Sequence, residues 1–543
     1  MGMFLNSDIP FEIYRAVSAE PYFVDKTDLI GELIPAIGSE QRFFCITRPR
    51  RFGKSVMANM VGAYFGKSAD AGSIFDGLRI GKQSGYREHL NKHNVIFIDF
   101  SKMPRDCTKY TQYIDRIQDE LNRELAESYP QCAIEISGTV WDNLLQVFRN
   151  TKDRFIFVMD EWDAIFHQNF INAGDKAQFL AFLRDLLKSQ PYVELAYMTG
   201  VLPIAKYSSG SELNMFLEYD MATKKKFSEY FGFLDDEVDR LFEIYLKRTA
   251  GPEMTRDELA LWYDGYYTAK GEHLYNPRSV VCALTDNQLA NYWTASGPYD
   301  EIFYYIRNDI AAIRDDLVLM IAGEGIKIKL QGYAATSAEL GTKNQIYSAM
   351  VVYGLLTYRE GKVFIPNKEL MDKFDELLLS NESLGYVHRL AMESERMLAA
   401  TLAGDTAAMA KILEYAHNTE IPILSYNSET ELAAIVNLVY LAARDSYRVE
   451  REDKSGKGYV DFIFYPNRRG DDGIILELKV DHSPEEAIRQ IKERQYAMRF
   501  SGKLGDSEKH TGRILAVGIG YNKTTKVHDC RVEVISPVAT AGI

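Results

Sequence analysis

The sequence predicts an α/β protein: an N-terminal parallel sheet with crossover helices, a helical middle region, and a C-terminal region of mixed strands and helices. Three observations predict it. Residues 1–220 alternate apolar strand-like runs with helix-like stretches, which implies parallel strands joined by helices. The apolar run Phe43-Phe44-Cys45-Ile46 leads through Arg48-Pro49-Arg50-Arg51-Phe52-Gly53-Lys54-Ser55 into helical sequence. Strand-like segments return after about residue 420, beyond a long stretch rich in helix formers.

In the N-terminal region the expected strands are Phe43–Thr47, Val95–Phe100, Phe155–Asp160 and Glu194–Thr199, with helices over Tyr110–Tyr129 and Lys176–Ser189. Gly53-Lys54-Ser55 falls where the first strand gives way to a helix. Backbone N–H groups of such a loop point at phosphate oxygens, and the helix N-terminus favours negative charge. Lys54 is expected to reach the β- and γ-phosphates of ATP and Ser55 to ligate Mg²⁺, with Arg50, Arg51, Phe52 and Gly53 completing the loop. The match to G-x-x-x-x-G-K-[ST] is incomplete, because Arg48 stands at the first glycine and the loop must turn without it. The competing reading is an ordinary turn before a helix.

A second element favours the nucleotide. The run Arg154-Phe155-Ile156-Phe157-Val158-Met159-Asp160-Glu161-Trp162-Asp163 suits a buried parallel strand with acids at its C-terminal edge, where ligands of open α/β sheets bind. Asp160 would hold Mg²⁺ through water and Glu161 would polarise the attacking water. A core strand ending in a solvated acidic turn is the alternative. Thr199 ends the strand Leu195–Met198. In P-loop ATPases with a strand added between the phosphate loop and the acidic strand, a polar residue there senses the γ-phosphate, and Thr199 is assigned that role against a plain strand-terminal threonine.

From about residue 221 helices are expected over Asp235–Thr249, Arg256–Tyr263 and Glu369–Leu379. Gln345–Leu356 followed by Thr357–Arg359, Glu360-Gly361 and Lys362–Ile365 has the pattern of a winged helix. The basic triplet Lys224–Lys226 reads as a solvated helix start rather than a phosphate contact. Gly404-Asp405 breaks helical sequence, and the domains are expected at 1–220, 221–405 and 406–543.

The last region reads as a helix over Ser428–Ala443, strands Tyr447–Glu450, Tyr459–Tyr465 and Gly473–Val480, a helix Pro484–Phe500 and a strand Arg513–Gly520. Glu477 and Lys479, two apart in a strand, share a face, and antiparallel pairing can bring Asp461 to it. Two carboxylates and a lysine at the mouth of an apolar sheet make a hard-cation site. A Mg²⁺ ion there would polarise a phosphodiester, with Lys479 orienting water or stabilising developing charge. Glu431 could add a third carboxylate, with Glu429 its rival, and helical spacing points Gln490 to the same end. A surface-exposed strand face is the competing reading.

Composition sets bounds. The chain has 543 residues, 46% hydrophobic and 26% charged, as in ordinary globular protein. No apolar run reaches membrane-spanning length, so no membrane partner is expected. The start, Met1 to Asn6, lacks a basic n-region and an apolar core, so no secretory signal is expected. Five scattered cysteines without a C-x-x-C pair argue for a reducing cytoplasm and against structural zinc. With 63 basic and 77 acidic residues the net charge is −14, so contact with nucleic acid must come from local basic patches.

The chain resembles, over nearly its whole length, the bacterial AAA-ATPase-like proteins that carry a C-terminal PD-(D/E)XK nuclease-superfamily domain. The residues carrying the resemblance are Tyr22–Thr27, Arg48–Ser55, Asp160-Glu161, Tyr230–Phe233, Trp262-Tyr263-Asp264-Gly265-Tyr266, Tyr275–Val280 and Tyr292-Trp293. In the last region they are Gly458–Asp461, Glu477-Leu478-Lys479 and Ala487–Ile491. The family's arginine at the first loop glycine explains Arg48. The resemblance implies ATP binding and hydrolysis at the N-terminus and a restriction-endonuclease-like C-terminal domain. In the superfamily pattern Asp461 and Glu477 ligate metal, Lys479 serves the attacking water, Glu431 assists, and the helix glutamine is Gln490. This chain departs from the pattern in having Tyr459-Val460 before Asp461, where arginine or proline is frequent. The expected activity is an ATP-regulated, Mg²⁺-dependent nuclease acting on DNA, in defence or mobile-element biology. The alternatives are an ATP-driven switch that binds nucleic acid or protein without cutting it, and an interaction scaffold that holds its nucleotide structurally. Arg50, Arg51 and Arg278 are candidate γ-phosphate contacts, in cis or from a neighbouring subunit of a homo-oligomer, with a solvated surface role as the alternative for each.

Overall fold

The computed structural model describes residues 2–204, 212–293, 310–330, 342–380, 382–384, 386–418, 429–450, 460–468, 470–498, 500 and 512–535. Of the residues named above, Ser428, Gly458 and Tyr459, and Arg499 within the expected Pro484–Phe500 helix, lie outside the described residues. The chain divides into two compact units, residues 1–302 with 327–370, and residues 303–326 with 371–543.

In the first unit, β1 (Phe43–Thr47), β2 (Asn94–Asp99), β3 (Phe155–Asp160), β4 (Val193–Gly200) and β5 (Leu217–Tyr219) form one sheet in the order β2-β3-β4-β1-β5. Every pair is parallel. Alternation along the strands sorts their side chains to two faces. Phe43, Cys45, Phe157 and Met198 pack against helices Tyr110–Ser128, Val140–Thr151 and Ala173–Leu187. Phe44, Ile46, Val158 and Tyr197 pack with α1 (Lys54–Phe65). The strands are apolar on both faces because both faces are covered. β4 lies between β1 and β3, so Thr199 comes beside Asp160 at the C-terminal edge.

The same unit holds helices Asp235–Arg248 and Arg256–Tyr263 and α2 (Pro277–Asp286). The Asn276 side chain caps α2, accepting from the N–H groups of Arg278 (3.0 Å) and Ser279 (3.3 Å). α3 (Lys343–Val352) precedes an antiparallel hairpin of β6 (Thr357–Arg359) and β7 (Lys362–Phe364), the helix-then-hairpin pattern expected of this stretch. The helix stops before Leu356 because Gly354 turns with φ +79°. A Cβ at Gly354 would lie 2.7 Å from the Pro49 side chain.

In the second unit, β8 (Tyr447–Glu450), β9 (Phe462–Pro466), β10 (Gly473–Val480), β11 (Ile514–Tyr521) and β12 (His528–Ile535) form a sheet in that order. Only β10 and β11 are parallel. α4 (Glu429–Val439) and α5 (Pro484–Glu493) pack on it, with Ile488 and Ile491 of α5 meeting Ile463, Ile475 and Ala516. The helix expected over Pro484–Phe500 breaks at Gln495, whose φ is +53°. Asp461 stands one residue before β9 rather than inside a strand. Among the described residues no helix is long and apolar enough to cross a membrane.

Candidate functional site

Residues 48–53 connect β1 to α1. Gly53 caps the helix at φ +87°, and Arg51 also adopts a left-handed backbone at φ +68°. No atom lies within 4 Å of a Cβ placed on Gly53, so glycine is required there by the backbone turn and not by crowding. The Arg48 side chain turns into the core. Its Nη1 donates to the carbonyls of Thr47 and Tyr219, each at 2.8 Å, and Nη2 donates to that of Phe227 at 3.1 Å. Its guanidinium also lies 4.8 Å over the Phe231 ring. Burial lowers the Arg48 pKa to about 10, which leaves it charged at neutral pH. The loop therefore turns without its first glycine because a buried arginine pins that position from behind. On the other side, Lys54 Nζ donates to the carbonyls of Arg48 and Pro49, each at 3.1 Å.

The acids meet this loop from β3. Asp160 is buried and accepts hydrogen bonds from the hydroxyls of Thr199 and Ser55. Burial raises its pKa, and those two hydroxyls oppose the rise. Glu161, at φ +51°, donates its N–H to Asp160 Oδ1 (3.1 Å) and places its carboxylate 3.9 Å from Lys54 Nζ. Burial raises the Glu161 pKa as well, with Lys54 opposing. Lys54, Ser55, Asp160, Glu161 and Thr199 thus converge at one sheet edge. A hydroxyl already bonded to a carboxylate beside a lysine is a donor set suited to Mg²⁺ and phosphate.

Lys54, Ser55 and Glu161 of this group line a cavity of about 1030 Å³, the size class of a nucleotide. Its lining includes Arg50, Arg51, Phe52, Gly53, Lys54 and Ser55 of the loop and Arg278 of α2. Tyr22, Lys26 and Arg248 also line it; sequence reasoning assigned none of them a site role, although Tyr22 and Lys26 share a string that carries the resemblance. Lys26 is committed elsewhere: its Nζ lies 2.7 Å from Glu237 Oε2 and 2.6 Å from the Glu229 carbonyl.

The second cluster lies on β10. Glu477 is buried, and its Oε1 receives Lys479 Nζ at 3.0 Å and the Gln490 side chain of α5. Asp461 Oδ2 accepts the Leu478 N–H at 2.7 Å, which holds its carboxylate beside Glu477. Burial, then the Asp461 charge, pushes the Glu477 pKa up to about 7. Glu477 Oε2 is buried and makes no hydrogen bond. Such an orphaned oxygen is costly unless a proton or a cation satisfies it. Asp461, Glu477, Lys479 and Gln490 come together, and the two carboxylates fit a divalent ion. Glu431 and its rival Glu429 stand in the first turn of α4. Among the described residues no group of three or more metal-ligating side chains forms, so neither glutamate completes a three-acid set here.

Residues 12–209 match the family model described as a predicted AAA-ATPase, and residues 428–527 match that of the PD-(D/E)XK nuclease superfamily. Both ends of the resemblance are borne out. No curated protein matches the chain. Among solved structures, a Walker-type ATPase of Pyrococcus abyssi aligns at TM-score 0.36 and 10% identity, covering 64% of this chain and 94% of that one. The ORC2 protein of Aeropyrum pernix in its ADPNP–ADP complexes aligns at TM-score 0.30 and 10% identity, covering 68% and 94%.

Proposed function

We propose that this chain binds and hydrolyses ATP at its AAA-ATPase-like domain and uses the nucleotide to control a Mg²⁺-dependent phosphodiesterase of the PD-(D/E)XK type acting on DNA. The observation that carries the cutting half is the orphaned Glu477 Oε2, buried between Asp461, Lys479 and Gln490. The ATPase half is supported by the convergence of Lys54, Ser55, Asp160, Glu161 and Thr199 at one sheet edge, with Lys54, Ser55 and Glu161 lining one large cavity.

At the first site Lys54 offsets charge on the β- and γ-phosphates while loop N–H groups hold them. Glu161 takes the proton of the water that attacks the γ-phosphorus, as the bond to the β–γ bridging oxygen breaks. Its raised pKa suits a base. Thr199 and Ser55 hold Asp160 in place. Arg50, Arg51 and Arg278 supply further cations, from this chain or from a second copy in a homo-oligomer. At the second site, a divalent ion held by Asp461 and Glu477 supplies Lewis acidity toward a phosphodiester oxygen. Lys479 orients the attacking water and stabilises the developing negative charge, and Gln490 fixes the Glu477 carboxylate.

A second reading, an ATP-driven switch that binds nucleic acid or protein without cleaving it, is favoured by one observation: among the described residues two carboxylates, and no third, gather at the metal-binding position. A cleavage panel separates the two. Plasmid, linear and single-stranded DNA are incubated with Mg²⁺ or Mn²⁺, with and without ATP. The expected result is cleavage that depends on ATP and is lost in Asp461→Ala, together with ATP hydrolysis lost in Lys54→Ala. Equal survival of every substrate with wild type and Asp461→Ala, ATP present, overturns the nuclease.

A further inference from the structure

The two cationic walls of the nucleotide cavity are tied to each other through a buried tryptophan and a buried glutamate. Trp293 Nε1 donates to the carbonyl of Arg50, inside the phosphate loop, at 3.2 Å. The Trp293 backbone N–H donates to Glu369 Oε1. The other oxygen of Glu369 accepts the Ser279 hydroxyl at 2.9 Å. Ser279 is in the first turn of α2, next to Arg278, which lines the same cavity as the loop. Trp293 is 1% exposed, Glu369 1% and Ser279 0%, so water does not compete for these bonds.

Apolar contacts back the chain of bonds. Phe52 of the loop meets Tyr266 edge-on at 5.0 Å, and the Tyr266 ring stands at 84° to Trp293. The Tyr266 hydroxyl donates to the Gly354 carbonyl at 2.7 Å, and Gly354 presses against Pro49. The loop residues Pro49, Arg50 and Phe52 are thus each held from outside the cavity. A loop whose amides must face phosphate gains from having its carbonyls fixed elsewhere, because the ordering is complete before the ligand arrives.

We propose that Trp293 and Glu369 are positioning residues that hold the phosphate loop and the Arg278 helix at a set separation, so that both cationic walls meet the triphosphate as one unit. Neither side chain lines the cavity. The proposal rests on the ATPase reading above and goes beyond it by assigning the device that presets the pocket.

The test uses the full chain with Trp293→Phe, Glu369→Gln and the double variant, followed by ATP turnover and by melting without nucleotide. Trp293→Phe keeps the ring and removes only the N–H. Loss of one buried hydrogen bond predicts a rise of about five- to tenfold in KM for ATP, with kcat within about twofold. The double variant is expected to lose less than the product of the two single losses, because both act on one connection. A KM in Trp293→Phe equal to that of wild type overturns the proposal, as do single losses that simply multiply. If Trp293→Phe does not fold, Glu369→Gln is judged by the same KM criterion. Wild type that turns over no ATP sinks the ATPase reading and this proposal together. Wild type that is active, and loses activity in Lys54→Ala, leaves the KM values to judge this proposal alone.

Discussion

Restoring the missing loop glycine should harm this protein. Arg48→Gly matches the G-x-x-x-x-G-K-[ST] pattern, yet it removes a side chain that satisfies three carbonyls at 2.8, 2.8 and 3.1 Å and covers the Phe231 ring. Hydrogen bonds from a charged donor contribute about 1.5–3 kcal/mol each, and a cation–π contact about 1–2. Against them stands the cost of keeping a guanidinium 1% exposed, the same burial that lowers its pKa to about 10. Removing the guanidinium relieves that cost but leaves three carbonyls without this donor, at about 1–3 kcal/mol each, for a net loss of about 3–5 kcal/mol. For a chain of this size that corresponds to a melting temperature lower by roughly 3–4 °C. Thermal unfolding by circular dichroism, beside Arg48→Lys, reads it. Lysine keeps the charge but lacks the fork that reaches three acceptors, so it should fall between the two. If Arg48→Gly melts within about 2 °C of wild type, or binds ATP more tightly, the guanidinium is not what shapes the loop.

Two further substitutions test other parts. Glu161→Gln should lower ATP turnover about 10²–10⁴-fold while calorimetry still detects nucleotide binding; unchanged turnover removes Glu161 from the role of base. Lys26→Met should leave Glu237 buried without its 2.7 Å partner and cost about 3–5 kcal/mol in denaturant unfolding. A double variant with Glu237→Gln should recover part of that loss, and no recovery would mean the pair is not the cause.

Legibility in the sequence followed burial. Strands Phe43–Thr47, Phe155–Asp160 and Gly473–Val480 match their expected bounds because an apolar run between polar breaks, covered on both faces, allows one placement. The acids and the lysine at their ends were readable for the same reason: charge next to such a run stands out. β12 was missed, since His-Asp-Cys-Arg-Val-Glu-Val-Ile carries the mixed pattern of a sheet edge. The role of Arg48 was hidden because the carbonyls it reaches belong to Tyr219 and Phe227, 171 and 179 positions away. Trp293 and Arg50 are 243 apart. Local periodicity carries no information about such pairs. The Pro484–Phe500 helix was overextended because helix formers continue through the left-handed turn at Gln495.

The two acidic sites differ in what satisfies them, and the difference is measurable. Asp160 receives two hydroxyl donors, so its carboxylate is supported before any ligand binds. Glu477 takes Lys479 and Gln490 on Oε1 and nothing on Oε2, with Asp461 nearby, and its pKa rises from 4.5 to about 7. A carboxyl whose folded pKa exceeds its unfolded one stabilises the fold below the unfolded value and loses that contribution as pH climbs through the folded one. Without divalent ions, stability should therefore decline between about pH 4.5 and 7, and Glu477→Gln should flatten the decline. A cation requires the ionised pair, so binding must expel the proton. Calorimetry with Mn²⁺ in buffers of different ionisation enthalpy should show a proton released on binding at acidic pH, and the release should fade as pH rises past neutrality. Glu477→Gln should abolish both the release and most of the affinity. Binding at pH 6 with no proton released would place the ion elsewhere, and the orphaned oxygen would then be satisfied by its own proton alone.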